Sequence, residues 1–346
     1  MTVEKRHFGY TAQGAEVNCY TLADGGMSVE ILSLGGIIRS INIPVSDGVR
    51  DIALGFDDVA GYEGQSAFIG ALIGRVANRI GRAAFSLNGR KYTLEDNDAG
   101  NCLHGGSDGF DKRIWEVSEK PGALWLTLES PDMDGGFPGN LKVDVRYTLK
   151  DRALTIEYKA VSDADTPVNL TNHCYFNLAG HGSGGIEDHN IRIFSDCISE
   201  INDLLIPTGK SLGVEGTPFD FRESRIIGEG INSDHPQIAL GGGYDHNFVL
   251  SQLTRRALSP AAVLEYDGVA MTCLTTKPCI QFYSGNFLTG ETGKGGAAYL
   301  KRNGLCLETQ YWPDVVNRID FPDCTLRKGE IYHHITVYKF DICHKM

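Results

Sequence analysis

The segment Asn169-Leu-Thr-Asn-His-Cys-Tyr-Phe-Asn-Leu-Ala-Gly180 places one histidine, His173, among three asparagines and a threonine, next to two aromatic rings. A neutral imidazole among amide and hydroxyl groups, walled by rings, suits proton transfer to a polyol better than packing in an apolar core. Such chemistry needs partners, and two residues offer themselves. His104 lies in Asn101-Cys-Leu-His-Gly-Gly106, where the glycines would let backbone approach a ligand closely. Glu308 follows an apolar run in Leu305-Cys-Leu-Glu-Thr-Gln310, an unusual setting for a solvated charge. Taken singly, each histidine also reads as a satisfied structural residue, and Glu308 as a strand-edge carboxylate in a salt bridge. Asp245, between Tyr244 and His246, and Arg79, in Gly74-Arg-Val-Ala-Asn-Arg-Ile80, are further polar groups in apolar context. Arg75 and Arg79 read equally well as structural salt-bridge partners.

Other motifs are weaker. Gly290-Glu-Thr-Gly-Lys-Gly-Gly296 has neither the glycine spacing nor the Ser/Thr after lysine that a phosphate loop requires. Gly241-Gly-Gly-Tyr-Asp-His-Asn247 opens no evident helix, which disfavours a dinucleotide site. No HxH or HExxH spacing occurs, so a metal enzyme is disfavoured. His333 and His334 are adjacent in a strand-like run and must point to opposite faces, so they cannot share one metal. His7, His235 and His344 read as solvated, and His181, His189 and His246 receive no role.

The elements that must position these groups are strands. Forty-two glycines against twelve prolines, with little helical periodicity, indicate strands joined by turns. Leu141, Val143, Val145, Tyr147 and Leu149 alternate with polar residues. A turn at Asp151-Arg152 follows, and Leu154, Ile156, Tyr158 and Ala160 alternate again, predicting a hairpin with one buried face. Leu124 to Leu128 and Ile331 to Ile342 read as further strands. With no repeat or linker, the expectation is one all-β domain over residues 1–346, a large β-sandwich or barrel.

Composition narrows the partners. A net charge of −12 argues against nucleic acid and against an anionic membrane surface. Nine scattered cysteines without a CxxC pair fit free thiols in a reducing compartment. The N-terminus lacks the apolar core of a signal peptide and no run reaches membrane-spanning length, so the expected location is the cytoplasm.

Six ordered motifs carry a resemblance over nearly the whole chain. They are Gly74-Arg-Val-Ala-Asn-Arg-Ile80; Asn101-Cys-Leu-His-Gly-Gly106 with Gly109-Phe-Asp111; Thr171-Asn-His-Cys-Tyr-Phe-Asn-Leu-Ala-Gly180; Gly243-Tyr-Asp-His-Asn-Phe248; Gln281-Phe-Tyr-Ser-Gly-Asn-Phe287; and Leu307-Glu-Thr-Gln310 with Pro313-Asp314. In these the chain resembles the aldose 1-epimerase family, in its mutarotase branch. The resemblance implies that family's supersandwich, a monosaccharide substrate, and a reaction without cofactor or metal. It also implies roles: Glu308 as general base on the C1 hydroxyl, His173 as general acid on the ring oxygen, and His104 as a second histidine at that oxygen. Asn78, Arg79, Asp245 and Gln281 match groups that hold the sugar hydroxyls. Two departures, Cys174 in place of a serine-like residue and Tyr311-Trp312 before Pro313, bear on sugar preference. The competing readings are a glycoside hydrolase, casting Glu308 and Asp245 as its two carboxylates, and a non-catalytic sugar-binding sandwich. The absence of a Lys/Arg cluster in the site motifs disfavours a phosphosugar epimerase. The expected assembly is a monomer or homodimer.

Overall fold

Alternation at a two-residue period decides most of the architecture. In the computed structural model, which describes residues 1–46, 48–250 and 257–342, the hairpin is the strand Leu141–Lys150 paired with Ala153–Ser162. Its two turn residues, Asp151 and Arg152, both adopt positive φ (51° and 59°), the geometry that matches the twist of a two-residue hairpin. Leu141, Val143, Val145, Tyr147 and Leu149 are all buried. Ala123–Ser130 flanks the hairpin on one side and Ile331–Ile342 on the other, within a nine-stranded antiparallel sheet. As alternation requires, His333 is exposed against Glu157 (2.8 Å), while His334 is buried beside Tyr311 (3.3 Å). His344 and Cys343 lie outside the described residues.

A second, six-stranded sheet carries the chemistry. Its order is Tyr175–Phe176, Leu305–Gln310, Cys279–Tyr283, Asp245–Leu250, Ser195–Ile201, Pro207–Gly213. Leu305, Leu307, Ile280, Phe282, Phe248 and Leu250 face the nine-stranded sheet, and together with Leu126, Val143, Val145, Tyr147, Ile156 and Tyr158 they form one continuous core. A fully buried side chain of this kind contributes roughly 1.5–3 kcal/mol. The alternate positions are polar: Glu308 stands opposite Gln281, and Gln281 opposite Asn247. One face of each strand therefore anchors the sandwich, and the other presents functional groups. A five-stranded meander over residues 2–51 adds Tyr20, Val29 and Ile31 to the same core.

Three short pairings bring the remaining motifs to that polar face. Leu72–Ile73 pairs with Thr171–Asn172, and Arg79–Ile80 pairs with Cys102–Leu103. The His173 main chain is bonded both ways, its N–H to the Ala71 carbonyl (2.8 Å) and its carbonyl to the Gly70 N–H (3.0 Å). Asp314 ties the 79–81 segment down: its N–H donates to the Arg79 carbonyl (2.8 Å) and its Oδ1 accepts from the Gly81 N–H (2.9 Å). Arg75 is structural. Its guanidinium is buried and donates to the carbonyls of Ser130, Pro131 and Pro138 at 2.8–2.9 Å.

One expectation changes. The glycines after His104 do not open backbone towards a ligand. A Cβ on Gly105 (φ +92°) would meet the Gly74 carbonyl oxygen at 2.2 Å, so this glycine serves the close approach of two chain segments. The lysine of the 290–296 loop is buried on Asp51 and on the carbonyls of Arg39 and Ala53, a structural cation with no opening for phosphate.

Candidate active site

A cavity of about 180 Å³ lies on the polar face of the six-stranded sheet. Glu308, His173, His104, Asn78, Arg79 and Asp245 all line it. Six side chains from five separated stretches of sequence thus converge as expected. Gln281 does not reach the cavity wall. It stands one step behind, donating from Nε2 to Asp245 Oδ1 (2.7 Å), and so orients that carboxylate. Its own Oε1 is approached by Gln310 Nε2 (3.5 Å), which also reaches Asn247 Oδ1 (3.4 Å). A larger concavity of about 950 Å³ around Thr217, Asp220 and Arg222 is walled by surface groups such as the Arg222–Asp220 ion pair, and it holds none of the buried acid–base groups.

The centre of the site is Glu308 with His173. Glu308 Oε1 lies 3.6 Å from His173 Nε2, longer than a hydrogen bond, and both side chains are buried. Glu308 Oε2 has no partner among the described residues. A buried carboxyl oxygen left unpaired is costly, so it is placed for something that enters the cavity. Burial pushes the Glu308 carboxyl well above the usual range; the nearby Asp245 charge adds to this and Arg79 opposes it. Burial lowers the His173 imidazole to about 4. Burial also raises Asp245, against the opposing charge of Arg79 and the Gln281 bond. The environment therefore tunes a carboxyl up and an imidazole down, which narrows the ordinary gap between their proton affinities.

His104 has a defined tautomer. The Asn78 backbone N–H donates to its Nδ1 (3.2 Å), and burial holds the ring neutral by lowering it well below 6.5. Its single ring hydrogen must then sit on Nε2, so His104 presents a donor. Both Asn78 (φ 66°) and His104 (φ 54°) occupy the left-handed region, local strain of the kind that gathers at functional sites. Arg79 is held by Nε to Asp98 Oδ2 (2.7 Å).

Ligand-type atoms of His104, His173 and Glu308 lie within 4.8 Å of one another. By residue type this trio could hold a metal ion, and spacing rules missed it because the three come from distant segments. The hydrogen bonding disagrees: a metal on His104 Nε2 would require Nδ1 to carry the hydrogen, whereas Nδ1 here accepts one.

Aromatic rings complete the wall. Phe68 packs on His104 (4.6 Å) and on His173 (5.9 Å), Tyr175 on His173 (5.1 Å), and Tyr283 stacks with the half-exposed Phe287 at the mouth. Sequence reasoning missed Phe68, Ser66, Thr289 and Glu291, which line the cavity. Tyr283 and Phe287 lay within a quoted motif; Phe68 had no signal beyond its ring type. Neither departure touches the cavity. Cys174 belongs to the apolar core, Tyr311 contacts His334, and Trp312 stacks on Phe321 (5.3 Å). No helix among the described residues is long and apolar enough to cross a membrane. The eight described cysteines are free.

Comparison with known proteins adds independent findings. The family model described as aldose 1-epimerase matches residues 18–339. The chain is 41% identical to galactose mutarotase of Bos taurus over 99% of each chain. It is 40% identical to aldose 1-epimerase of Escherichia coli K12, over 92% of this chain and 93% of that one. Among solved structures, the aldose epimerase homologue from C. elegans superposes with a TM-score of 0.86 at 31% identity, covering 94% of this chain and 98% of that one. Galactose 1-epimerase from Lactobacillus acidophilus gives 0.86 at 28% identity, covering 99% and 100%.

Proposed function

We propose, from the premise that this chain belongs to the aldose 1-epimerase family, that Glu308 and His173 are the base and acid with which it interconverts the α and β anomers of free aldohexoses such as D-galactose and D-glucose. The enzyme is an isomerase, and its relatives include galactose mutarotases. Opening a hemiacetal requires one proton to leave the C1 hydroxyl and another to reach the ring oxygen. Glu308 takes the first; the Nε2–H of His173 supplies the second, and His104 donates a hydrogen bond to the same oxygen. Rotation about C1–C2 exposes the other carbonyl face. Ring closure then runs the two transfers in reverse, returning both groups to their starting protonation. Each contributes on the order of 10²- to 10⁴-fold. Arg79, Asn78 and Asp245 hold the sugar hydroxyls by hydrogen bonds, charge-assisted for the first and last, with Gln281 orienting Asp245.

The observation that carries this reading is the buried Glu308 carboxyl, whose Oε2 has no partner among the described residues while its Oε1 lies 3.6 Å from Nε2 of the buried His173 imidazole. The cavity, below the roughly 300 Å³ of drug-sized pockets, suits one monosaccharide. Polarimetry of freshly dissolved α-D-galactose, run beside release from an aryl galactoside, tests the reaction. Accelerated loss of rotation with no aryl release is expected; aryl release alone would make it a glycosidase. The site groups named above all come from one chain, which fits a monomer or a homodimer, and the free thiols of the described cysteines fit a reducing compartment such as the cytoplasm.

A further inference from the structure

We propose that Cys306 is a positioning residue that sets the tautomer of His173: its thiol donates to Nδ1, which keeps the ring hydrogen on Nε2, facing Glu308 and the cavity. This rests on the acid role given to His173 above. The geometry is that of one strand gripping both sides of one ring. Cys306 and Glu308 are two residues apart in Leu305–Gln310, so both point to the polar face. Cys306 Sγ lies 3.4 Å from His173 Nδ1, and Glu308 Oε1 lies 3.6 Å from Nε2.

A neutral histidine has one ring hydrogen, and the acid of a ring-opening step must carry it on the nitrogen that faces the substrate. Something must therefore hold Nδ1 as an acceptor. The His173 main chain is engaged with Gly70 and Ala71, and Cys306 is the polar group recorded at Nδ1 among the described residues. The thiol has a hydrogen to give: Cys306 is completely buried, and burial, with Glu308 nearby, pushes it well above its usual value. Its bond is weak, as thiol bonds are, but it competes only against the other neutral tautomer. His104 uses a backbone N–H for the same purpose, so both histidines turn an N–H towards the cavity.

The test is nitrogen NMR of the full-length protein with ¹⁵N-labelled histidine, together with anomer-exchange kinetics. In the wild type, His173 Nδ1 should be free of hydrogen and Nε2 protonated. Cys306→Ala and the volume-filling Cys306→Val should show mixed tautomers and lose roughly three- to ten-fold in kcat with KM nearly unchanged, the worth of one modest hydrogen bond. Cys306→Ser keeps a donor and should lose less than either. A wild-type His173 with its hydrogen on Nδ1 overturns the proposal whatever the variants do, as does an unchanged kcat in Cys306→Ala. A wild type with the stated tautomer but no anomer exchange would uphold the positioning and overturn the enzymatic reading.

Discussion

Glu308 is the residue whose environment says most. Burial alone raises a carboxyl, but the Asp245 charge adds to that rise, and Asp245 can be altered without touching the base. Replacing it by Asn removes one of the two influences that raise Glu308. The acid limb of kcat/KM, which reports ionisation of the base in the free enzyme, should then move to lower pH while KM for galactose increases. A pH–rate profile by polarimetry checks this, and an unmoved or raised limb contradicts it. At this scale the sequence was legible where residue type was odd for its surroundings: His173, His104 and Glu308 were each visible as polar groups in the wrong company. Gln281 stands one step behind the cavity wall, on Asp245, and a motif shows that a residue belongs to a site without showing whether it touches the ligand. Phe68 was invisible, since an aromatic ring in a loop reads the same whether it walls a cavity or fills a core.

At the level of elements, the long alternating strands were readable and the two-residue pairings were not. The hairpin of Leu141–Lys150 and Ala153–Ser162 and the strand Ile331–Ile342 follow from apolar periodicity alone. Leu72–Ile73 against Thr171–Asn172 is too short to show a period, yet it delivers His173 to the sheet. The same holds for Gly105, whose contact with the Gly74 carbonyl joins segments about thirty residues apart. Gly105→Ala would need a positive φ and a Cβ inside van der Waals contact, so it should destabilise the protein by more than about 1 kcal/mol. It should also displace His104 and depress kcat. Urea unfolding with parallel kinetics measures both; a variant of unchanged stability and activity would show that the segments do not depend on this approach.

Across the whole molecule, buried histidines contribute to the response to acid. His173 and His189 are lowered to about 4, His246 to about 3, and His104 well below 6.5, in each case mainly by burial. The unfolded chain binds protons at these sites near 6.5 and the folded chain does not. Their contribution to stability is therefore complete above 6.5 and is lost as pH falls through about 4. Asp111, raised to about 6 by burial, runs the other way between 3.8 and 6. His189 lies outside the cavity, with Nε2 accepting from the Leu178 N–H (3.0 Å). His189→Gln should make stability fall less steeply between pH 6.5 and 4, by about 1.4 kcal/mol per pH unit. Urea titrations at several pH values would reveal the change of slope, and an identical slope would contradict it. An all-β sandwich or barrel was legible from composition and alternation, and the sandwich from the family resemblance, but the order of nine and six strands was not, because pairing partners such as Ala153–Ser162 and Ile331–Ile342 are far apart in sequence.

The pairing of Glu308 with His173 as base and acid is tested most directly by anomer exchange in Glu308→Gln and His173→Asn, with galactose binding measured on the same samples. Exchange should fall by on the order of 10²- to 10⁴-fold in each, while both variants still fold and bind the sugar. Exchange at the wild-type rate in either variant would contradict the assignment.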